Sequence, residues 1–339
     1  MLQKAKSPRG ESSINIIGAG IAGSWQALLF ARAGYDVTLH ERSDAAMMQA
    51  TSHWAGGMLA PWCEREGSEP VITRLGIRSL DLWREQLPET PFNGSLVVAH
   101  PRDRADFERF ARLTTDHDRL DADGIARLEP SLDGRFREAL FFPGEGHVEP
   151  RTVLPKLHAK LTEAGATIKF ESDCDPDKIT SGIVIDCRGL GARDKHPDLR
   201  GVKGEMIVIE TPDVQLSRPI RFLHPRWTLY VIPRDGNRFM LGATSIESED
   251  TGVSVRSALE LLSAAYAVHP AFGEARILEF GAGLRPAFPD NLPRIAIDST
   301  RISVNGLYRH GFLLAPALAE LTLAYVERGA IDNEVMQCS

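Results

Sequence analysis

Residues 14–42 open as Ile14-Asn15-Ile16-Ile17-Gly18-Ala19-Gly20-Ile21-Ala22-Gly23 and close as Val37-Thr38-Leu39-His40-Glu41-Arg42. The apolar run 14–17 predicts a buried strand. Gly18, Gly20 and Gly23 then fall in G-x-G-x-x-G spacing. In that spacing Gly18 permits a tight turn, Gly20 lets the backbone approach a pyrophosphate, and Gly23 lets the next helix pack close to the strand. The helix predicted over 21–33 carries Leu28, Leu29 and Ala31 and stops at Gly34, a residue suited to end a helix. A second strand over 36–40 delivers Glu41 to the sheet edge, where a carboxylate can accept from both ribose hydroxyls of an adenosine.

Glycine-rich turns are common by themselves. Here strand, helix, closing glycine and acidic residue all fall within about thirty residues, which predicts a dinucleotide-binding βαβ unit. NAD and FAD both suit it, and nothing within 14–42 chooses between them.

Working outward, 339 residues allow two domains or one large one, and 43% hydrophobic with 25% charged residues is an ordinary globular balance. A net charge of −7 without a basic cluster argues against nucleic acid as a partner. Cys63, Cys174, Cys187 and Cys338 are scattered without a C-x-x-C pair. That argues against a metal ribbon or disulfide framework and fits a reducing compartment. Residues 1–13 read as a disordered polar tail rather than a signal sequence, and no run approaches the roughly eighteen apolar residues of a spanning helix. A soluble, cytoplasmic protein is expected. No zinc spacing, Walker A loop or nucleophile elbow is present.

Thr51-Ser-His-Trp-Ala-Gly-Gly-Met-Leu-Ala-Pro-Trp62 is the second informative stretch. Its backbone reads as a loop approaching something flat or charged, and the Gly56, Gly57 and Met58 amides suit the N5 and O4 edge of an isoalloxazine. A plain glycine-rich connector is the alternative. Beyond it, periodicity predicts helices over 72–88, 152–164, 254–268 and 317–328. Charged helical segments fall near 103–113 and 121–128, and strands over 95–99, 167–171 and 182–186. The stretch 201–209 reads as a strand with Lys203 and Glu205 solvated, and Cys187 as a packed small hydrophobe. Residues 228–234 and 238–244 alternate as strands around Asp235-Gly236-Asn237, a hairpin.

The Gly-Ala-Gly-Ile-Ala-Gly turn ending in His40-Glu41-Arg42, followed by Thr51-Ser52 and Ala55-Gly-Gly-Met-Leu-Ala-Pro61, resembles the glycine oxidase branch of the D-amino-acid oxidase superfamily of FAD-dependent amine oxidases. Three later stretches extend the match over most of the chain: Tyr230-x-x-Pro233-Arg234 with Gly242-Ala-Thr244, Gly283-Leu-Arg-Pro286 with Pro289-Asp290, and Gly306-Leu-Tyr-Arg-His-Gly311 with Leu313-Leu-Ala-Pro316. The resemblance implies an α/β chain, α+β overall. A discontinuous Rossmann-like FAD-binding domain (14–88, 144–204 and 277–339) would carry an inserted antiparallel-sheet substrate domain (89–143 and 205–276).

It further implies non-covalent FAD, because the attachment cysteine of monomeric sarcosine oxidases has no counterpart in 281–290. The cofactor would be held by Gly18, Gly20, Ile21, Ala22, Gly23, Glu41, Arg42, Ser52, Gly56, Gly57, Met58, Gly189 and Gly191. His310, Gly311, Phe312, Leu313 and Leu314 would join them, at a helix N-terminus that favours a negative flavin edge. Arg285 is the expected clamp for a substrate carboxylate, Tyr230 a second donor to it, and Arg309 a residue that contacts substrate or lines its pocket. Two departures stand out. His310 replaces the asparagine usual in the family, and Ser245 follows Gly-Ala-Thr where some members are apolar.

The implied activity is oxidation of glycine, with sarcosine and small D-amino acids as further substrates, to the imine with peroxide formation, serving thiamine thiazole synthesis. A quinone-linked dehydrogenase of the same fold is the first alternative. A tRNA-modifying oxidase domain is the second, and the acidic charge argues against it. The expected partners are a small amino acid and oxygen, without nucleic acid, membrane or metal, and a homo-oligomer is compatible with the sequence.

Overall fold

The computed structural model describes residues 13–224 and 229–338. The tail expected over 1–13 therefore lies outside the described residues except for Ser13, which opens the first strand, and Thr228 of the expected hairpin also lies outside them. The chain divides into two compact units, one of Met1–His53, Pro150–Gly201 and Arg285–Ser339, the other of Trp54–Glu149 and Val202–Leu284. The chain thus changes unit at 54, 150, 202 and 285, where sequence motifs placed the exchanges at 89, 144, 205 and 277. Residues 54–88 fall in the second unit, where Ala60 and Cys63 share a core with Val97, Phe107 and Phe110 and Met58–Leu59 pairs antiparallel with Gly146–His147.

The first unit is built on a seven-stranded sheet. Its strands run in the order Met336–Cys338, Arg294–Asp298, Arg301–Asn305, Ile183–Asp186, Ser13–Ile17, Asp36–His40 and Thr167–Lys169. Ser13–Ile17 lies centrally, paired in parallel with Asp36–His40 on one side and Ile183–Asp186 on the other. Ile14 and Ile16 are fully buried on one face of this strand, while on the other Ser13 and Asn15 are only partly covered and Ile17 is buried. Helix Ile21–Arg32 follows it, apolar nearly all round, as a helix enclosed on every side must be. It packs against Gly311–Arg328, and the amide nitrogen of buried Gln26 donates to the Thr322 hydroxyl at 3.1 Å. Gly329, at φ +66, ends the second helix in left-handed conformation. That helix begins at Gly311, six residues before the apolar run that marked it in the sequence. Pro316 obscured its start, because a proline inside a helix removes a backbone donor and reads in the sequence as a boundary.

The second unit carries an eight-stranded sheet. Its order is Arg276–Ala287, Arg200–Glu210, Arg238–Gly242, Leu229–Arg234, Ile220–Leu223, Ser95–Ala99, Glu138–Phe142 and Asp118–Asp121. From Arg200–Glu210 to Asp118–Asp121 neighbouring strands run antiparallel, except Ile220–Leu223 with Ser95–Ala99, which run parallel. Period-two alternation divides its side chains between two cores. Leu96 and Val98 join Phe222, Val231 and Leu241 beneath helix Val255–Val268, while Val97 joins Phe107 and Phe110 of helix Arg104–Leu113 on the other face. The hairpin predicted around Asp235-Gly236-Asn237 is present, with Arg234 opposite Arg238 and positive φ at Gly236 and Asn237.

Lys203 and Glu205, read from the sequence as solvated, are buried instead, at 4% and 0% exposure. The lysine Nζ lies 3.0 Å from Glu205 Oε1, 3.2 Å from Asp250 Oδ2 and 2.9 Å from the Gly252 carbonyl. Glu205 also accepts from the Ser254 amide at 3.0 Å and the Thr244 hydroxyl at 3.1 Å. Partners about forty to fifty residues away satisfy both charges, which is the condition for burying them.

Candidate active site

In the first unit the glycine turn is held by contacts that exclude side chains. Gly18 has φ +98, and a Cβ there would sit 2.6 Å from the Cys187 carbonyl oxygen. A Cβ at Gly23 would lie 1.9 Å from the Gly18 carbonyl oxygen. The strand, turn and helix can therefore close only with glycine at both positions. Cys187 itself is buried, and burial pushes its thiol well above the ordinary range, so it packs rather than reacts.

Gly20 caps helix Ile21–Arg32 without a side-chain hydrogen bond, and the first turn carries no acidic residue. Ser52 Oγ accepts from the Ile21 amide at 3.1 Å and stands 3.3 Å from where a Gly20 Cβ would be. A helix N-terminus built this way fits an anion such as a pyrophosphate, and Gly20 lets it come close. Glu41, buried, accepts from the Ala19 amide at 2.8 Å and from the Ser43 amide and hydroxyl at 2.9 and 2.8 Å. Two carboxylate oxygens offer about four acceptor sites, so three donors leave capacity for a ribose hydroxyl. Arg42 beside it is exposed.

The second helix N-terminus adjoins the first, since a Cβ at Gly311 would meet Ile21 Cγ2 at 3.4 Å. His310 caps Gly311–Arg328 without a side-chain bond, and again the first turn has no acid. Phe312, Leu313 and Leu314 of that turn are buried. Arg309, exposed, donates from Nε to Nε2 of buried His310 at 3.3 Å. Gly189 and Gly191 form a short 3-10 turn, and the Gly189 carbonyl accepts from Asn305 Nδ2 at 2.9 Å. A Cβ at Gly189 would reach Pro286 Cγ at 3.7 Å, which places this turn beside Arg285. The expected cofactor residues of this unit, from Gly18 to Ala22 and on to Leu314, are thus concentrated at the two helix ends and the strand ends feeding them.

The second unit carries Gly56, Gly57, Met58 and Tyr230. The Gly56 carbonyl accepts from Arg234 Nη2 at 2.6 Å, and the Gly57 carbonyl from the Val148 amide at 2.8 Å. Tyr230 stands opposite Arg221 on the neighbouring strand. Sequence reasoning passed over Arg221, because its role depends on a strand pairing and on residues more than a hundred positions away. Its buried guanidinium donates to the Cys63 carbonyl, to Glu66 Oε2 at 3.2 Å and to the Tyr230 hydroxyl at 3.1 Å. A guanidinium only donates, so the tyrosine oxygen must accept and its own proton is left to give. In this structure Glu64 Oε1 lies 3.4 Å away as its acceptor. Burial pushes the phenol well above its ordinary value, so Tyr230 remains a neutral donor.

Glu145 lies beneath this cluster, fully buried, and accepts from the Trp62 and Cys63 amides at 3.1 and 2.8 Å and from the Ser95 hydroxyl. Burial outweighs those bonds and raises its carboxyl to about 7. A carboxyl raised in the folded state binds more protons there than in the unfolded chain. Stability is therefore lost as pH rises from the unfolded value near 4.5 through about 7, then levels off. Glu145→Gln keeps an acceptor for the two amides and removes that charge. Melting temperatures at pH 5 and pH 8 should show the variant gaining on wild type at the higher pH. Parallel decline of the two proteins would mean that the carboxylate is accommodated in the fold.

A family model for FAD dependent oxidoreductases matches residues 13–325. The chain belongs to this family. The oxidoreductase is 52% identical over 312 residues to a Rhizobium etli protein provisionally named thiamine biosynthesis oxidoreductase ThiO, covering 90% of this chain and 94% of that one. It is 25% identical over 355 residues to the glycine oxidase of Geobacillus kaustophilus, covering 93% of each. The crystal structure of iminodiacetate oxidase from Chelativorans sp. BNC1 superposes with a TM-score of 0.80 at 25% identity, over 96% of this chain and 99% of that one. The α/β fold with its two kinds of sheet is thus a known FAD-binding architecture, and the glycine turn, the two helix N-termini and Glu41 fit that cofactor. Among the described residues, no cluster of three or more His, Cys, Asp or Glu side chains could hold a metal ion, and no helix is long and apolar enough to cross a membrane.

Proposed function

We propose that this FAD-dependent oxidoreductase oxidises glycine, with sarcosine and small D-amino acids as further substrates, and that the product supplies thiamine thiazole synthesis in the cytoplasm. The likeness to the Rhizobium etli protein over nearly the whole chain carries this reading. A relative named for glycine oxidation and a structural neighbour named for an N-carboxymethyl amine support the substrate class: an amine next to a carboxylate.

In the reaction the α-carbon of the neutral amine loses a hydride, the imine hydrolyses to glyoxylate and ammonia, and oxygen takes the two electrons to give peroxide. The FAD, held without a covalent bond, supplies the hydride acceptor. What the chain adds is position and charge. Gly20 and the N-terminus of helix Ile21–Arg32 would take the pyrophosphate, Glu41 with Arg42 the adenosine ribose side, and Gly56 to Met58, Gly189, Gly191 and 310–314 would hold the flavin half. Arg285 clamps the substrate carboxylate with two parallel hydrogen bonds, Tyr230 gives it a neutral one, and Arg309 borders the substrate.

A peroxide-coupled assay of the purified protein across glycine, sarcosine and D- and L-amino acids tests the proposal. Glycine, sarcosine or a small D-amino acid should rank first. Preference for an L-amino acid, or for an amine without a carboxylate, would overturn it.

A further inference from the structure

Ala19, between the two leading glycines of the turn, is gripped on both sides. Its amide donates to Glu41 Oε2 at 2.8 Å. Its carbonyl accepts from Ser24 Oγ at 2.9 Å and lies 3.2 Å from Nε2 of His158, a residue of helix Pro150–Glu163 far away in sequence. Ser24 Oγ and His158 Nε2 are themselves 3.1 Å apart. All three residues are buried, Ala19 and Ser24 completely. A carbonyl can only accept, so Nε2 must carry a proton. The serine proton already points at the same carbonyl, which leaves the serine oxygen to accept from Nε2 as well. Both contacts are met by one tautomer, the neutral ring protonated at Nε2. Burial favours that neutral form by lowering the imidazole below its ordinary value, and an edge contact with Phe170 at 5.7 Å steadies the ring.

In a trans peptide the carbonyl and the following amide point in opposite directions. Drawing the Ala19 carbonyl inward therefore turns the Gly20 amide outward, at the start of the helix. We propose that His158, together with Ser24, is a positioning residue for the cofactor, aiming the Gly20 amide at the FAD pyrophosphate. The inference rests on the reading of this turn as the FAD site, and it assigns a role to a histidine on a helix outside the βαβ unit.

Ligands that carry or lack the phosphates separate this role from general loosening. Full-length holoenzyme is diluted and the fluorescence of released FAD gives its Kd, while displacement by ADP and by adenosine gives theirs. His158→Leu should weaken FAD and ADP by about tenfold and leave adenosine within about twofold. His158→Gln should recover most of the loss, because its amide nitrogen reaches as far as Nε2 and donates the same bond. If His158→Leu does not fold, Ser24→Ala removes one donor to the same carbonyl and should weaken ADP about threefold with adenosine unchanged. Equal losses for ADP and adenosine, or unchanged FAD affinity in His158→Leu, would overturn the positioning role while leaving the FAD assignment intact. Wild-type protein that binds neither FAD nor ADP would overturn the assignment and the inference together.

Discussion

Arg285→Ala should lower kcat/KM for glycine by about thirtyfold or more. The arginine lies in strand Arg276–Ala287, half-buried, one residue before the proline that borders the Gly189 turn. Removing one partner of a shielded carboxylate–guanidinium pair costs about 2–5 kcal/mol, mostly because the other charge is left without its counterion. Each 1.4 kcal/mol is about tenfold in kcat/KM. Arg285→Lys should recover only part, because an ammonium cannot reproduce the two-pronged geometry. Tyr230→Phe removes a single neutral donor and should cost about tenfold or less. All three variants should keep the wild-type flavin spectrum. Methylamine, which has no carboxylate, should be a poor substrate whose rate hardly responds to Arg285→Ala. If glycine and methylamine slow equally, or the flavin is lost, Arg285 serves the fold instead.

The second large effect concerns the turn, where two glycines should both matter to FAD binding but differ in what they contribute to the fold. At Gly23 an added methyl would overlap the Gly18 carbonyl oxygen at 1.9 Å, so the helix must move off the strand. Overpacking of a rigid site costs about 1–3 kcal/mol or more. Gly23→Ala should therefore melt several degrees lower with or without cofactor, and bind FAD at least about tenfold more weakly. Gly20 has φ −63 and ψ −178, open to any residue, and an added methyl would meet only Ser52 Oγ, at 3.3 Å. Gly20→Ala should therefore cost the flavin-free protein far less than Gly23→Ala, because only the rotatable Ser52 hydroxyl has to give way. Its FAD affinity should still fall by about tenfold, because the methyl stands where the phosphate must approach. Thermal unfolding of both variants without flavin, set beside their FAD affinities, would show the contrast. Equal FAD affinity in Gly20→Ala and wild type would place the pyrophosphate elsewhere.

Local rules made much of this architecture legible in advance. Ile14 to Glu41 could be read directly because strand, turn, helix and second strand are consecutive, and each glycine has its own steric task. The hairpin at Asp235-Gly236-Asn237 was legible for the same reason, its turn and both strands being contiguous. What escaped depends on distance along the chain. Lys203 and Glu205 look solvated until Asp250, Thr244 and Ser254 come round to satisfy them. Met58 and Leu59 read as a loop because their strand partners are His147 and Gly146. Arg221 and His158 carry no local signature. One acquires its place from a strand pairing with Tyr230, the other from a helix that returns to the glycine turn.

The central claim, that the bound flavin takes its electrons from glycine and passes them to oxygen, is tested most directly by titrating the yellow protein with glycine without air and then admitting air. Bleaching of the flavin absorbance by glycine, followed by full recovery in air with peroxide equal to the glycine consumed, is the predicted result. A spectrum that glycine, sarcosine and small D-amino acids all leave unchanged would contradict the substrate. Bleaching that a quinone reverses and air does not would contradict the oxidase.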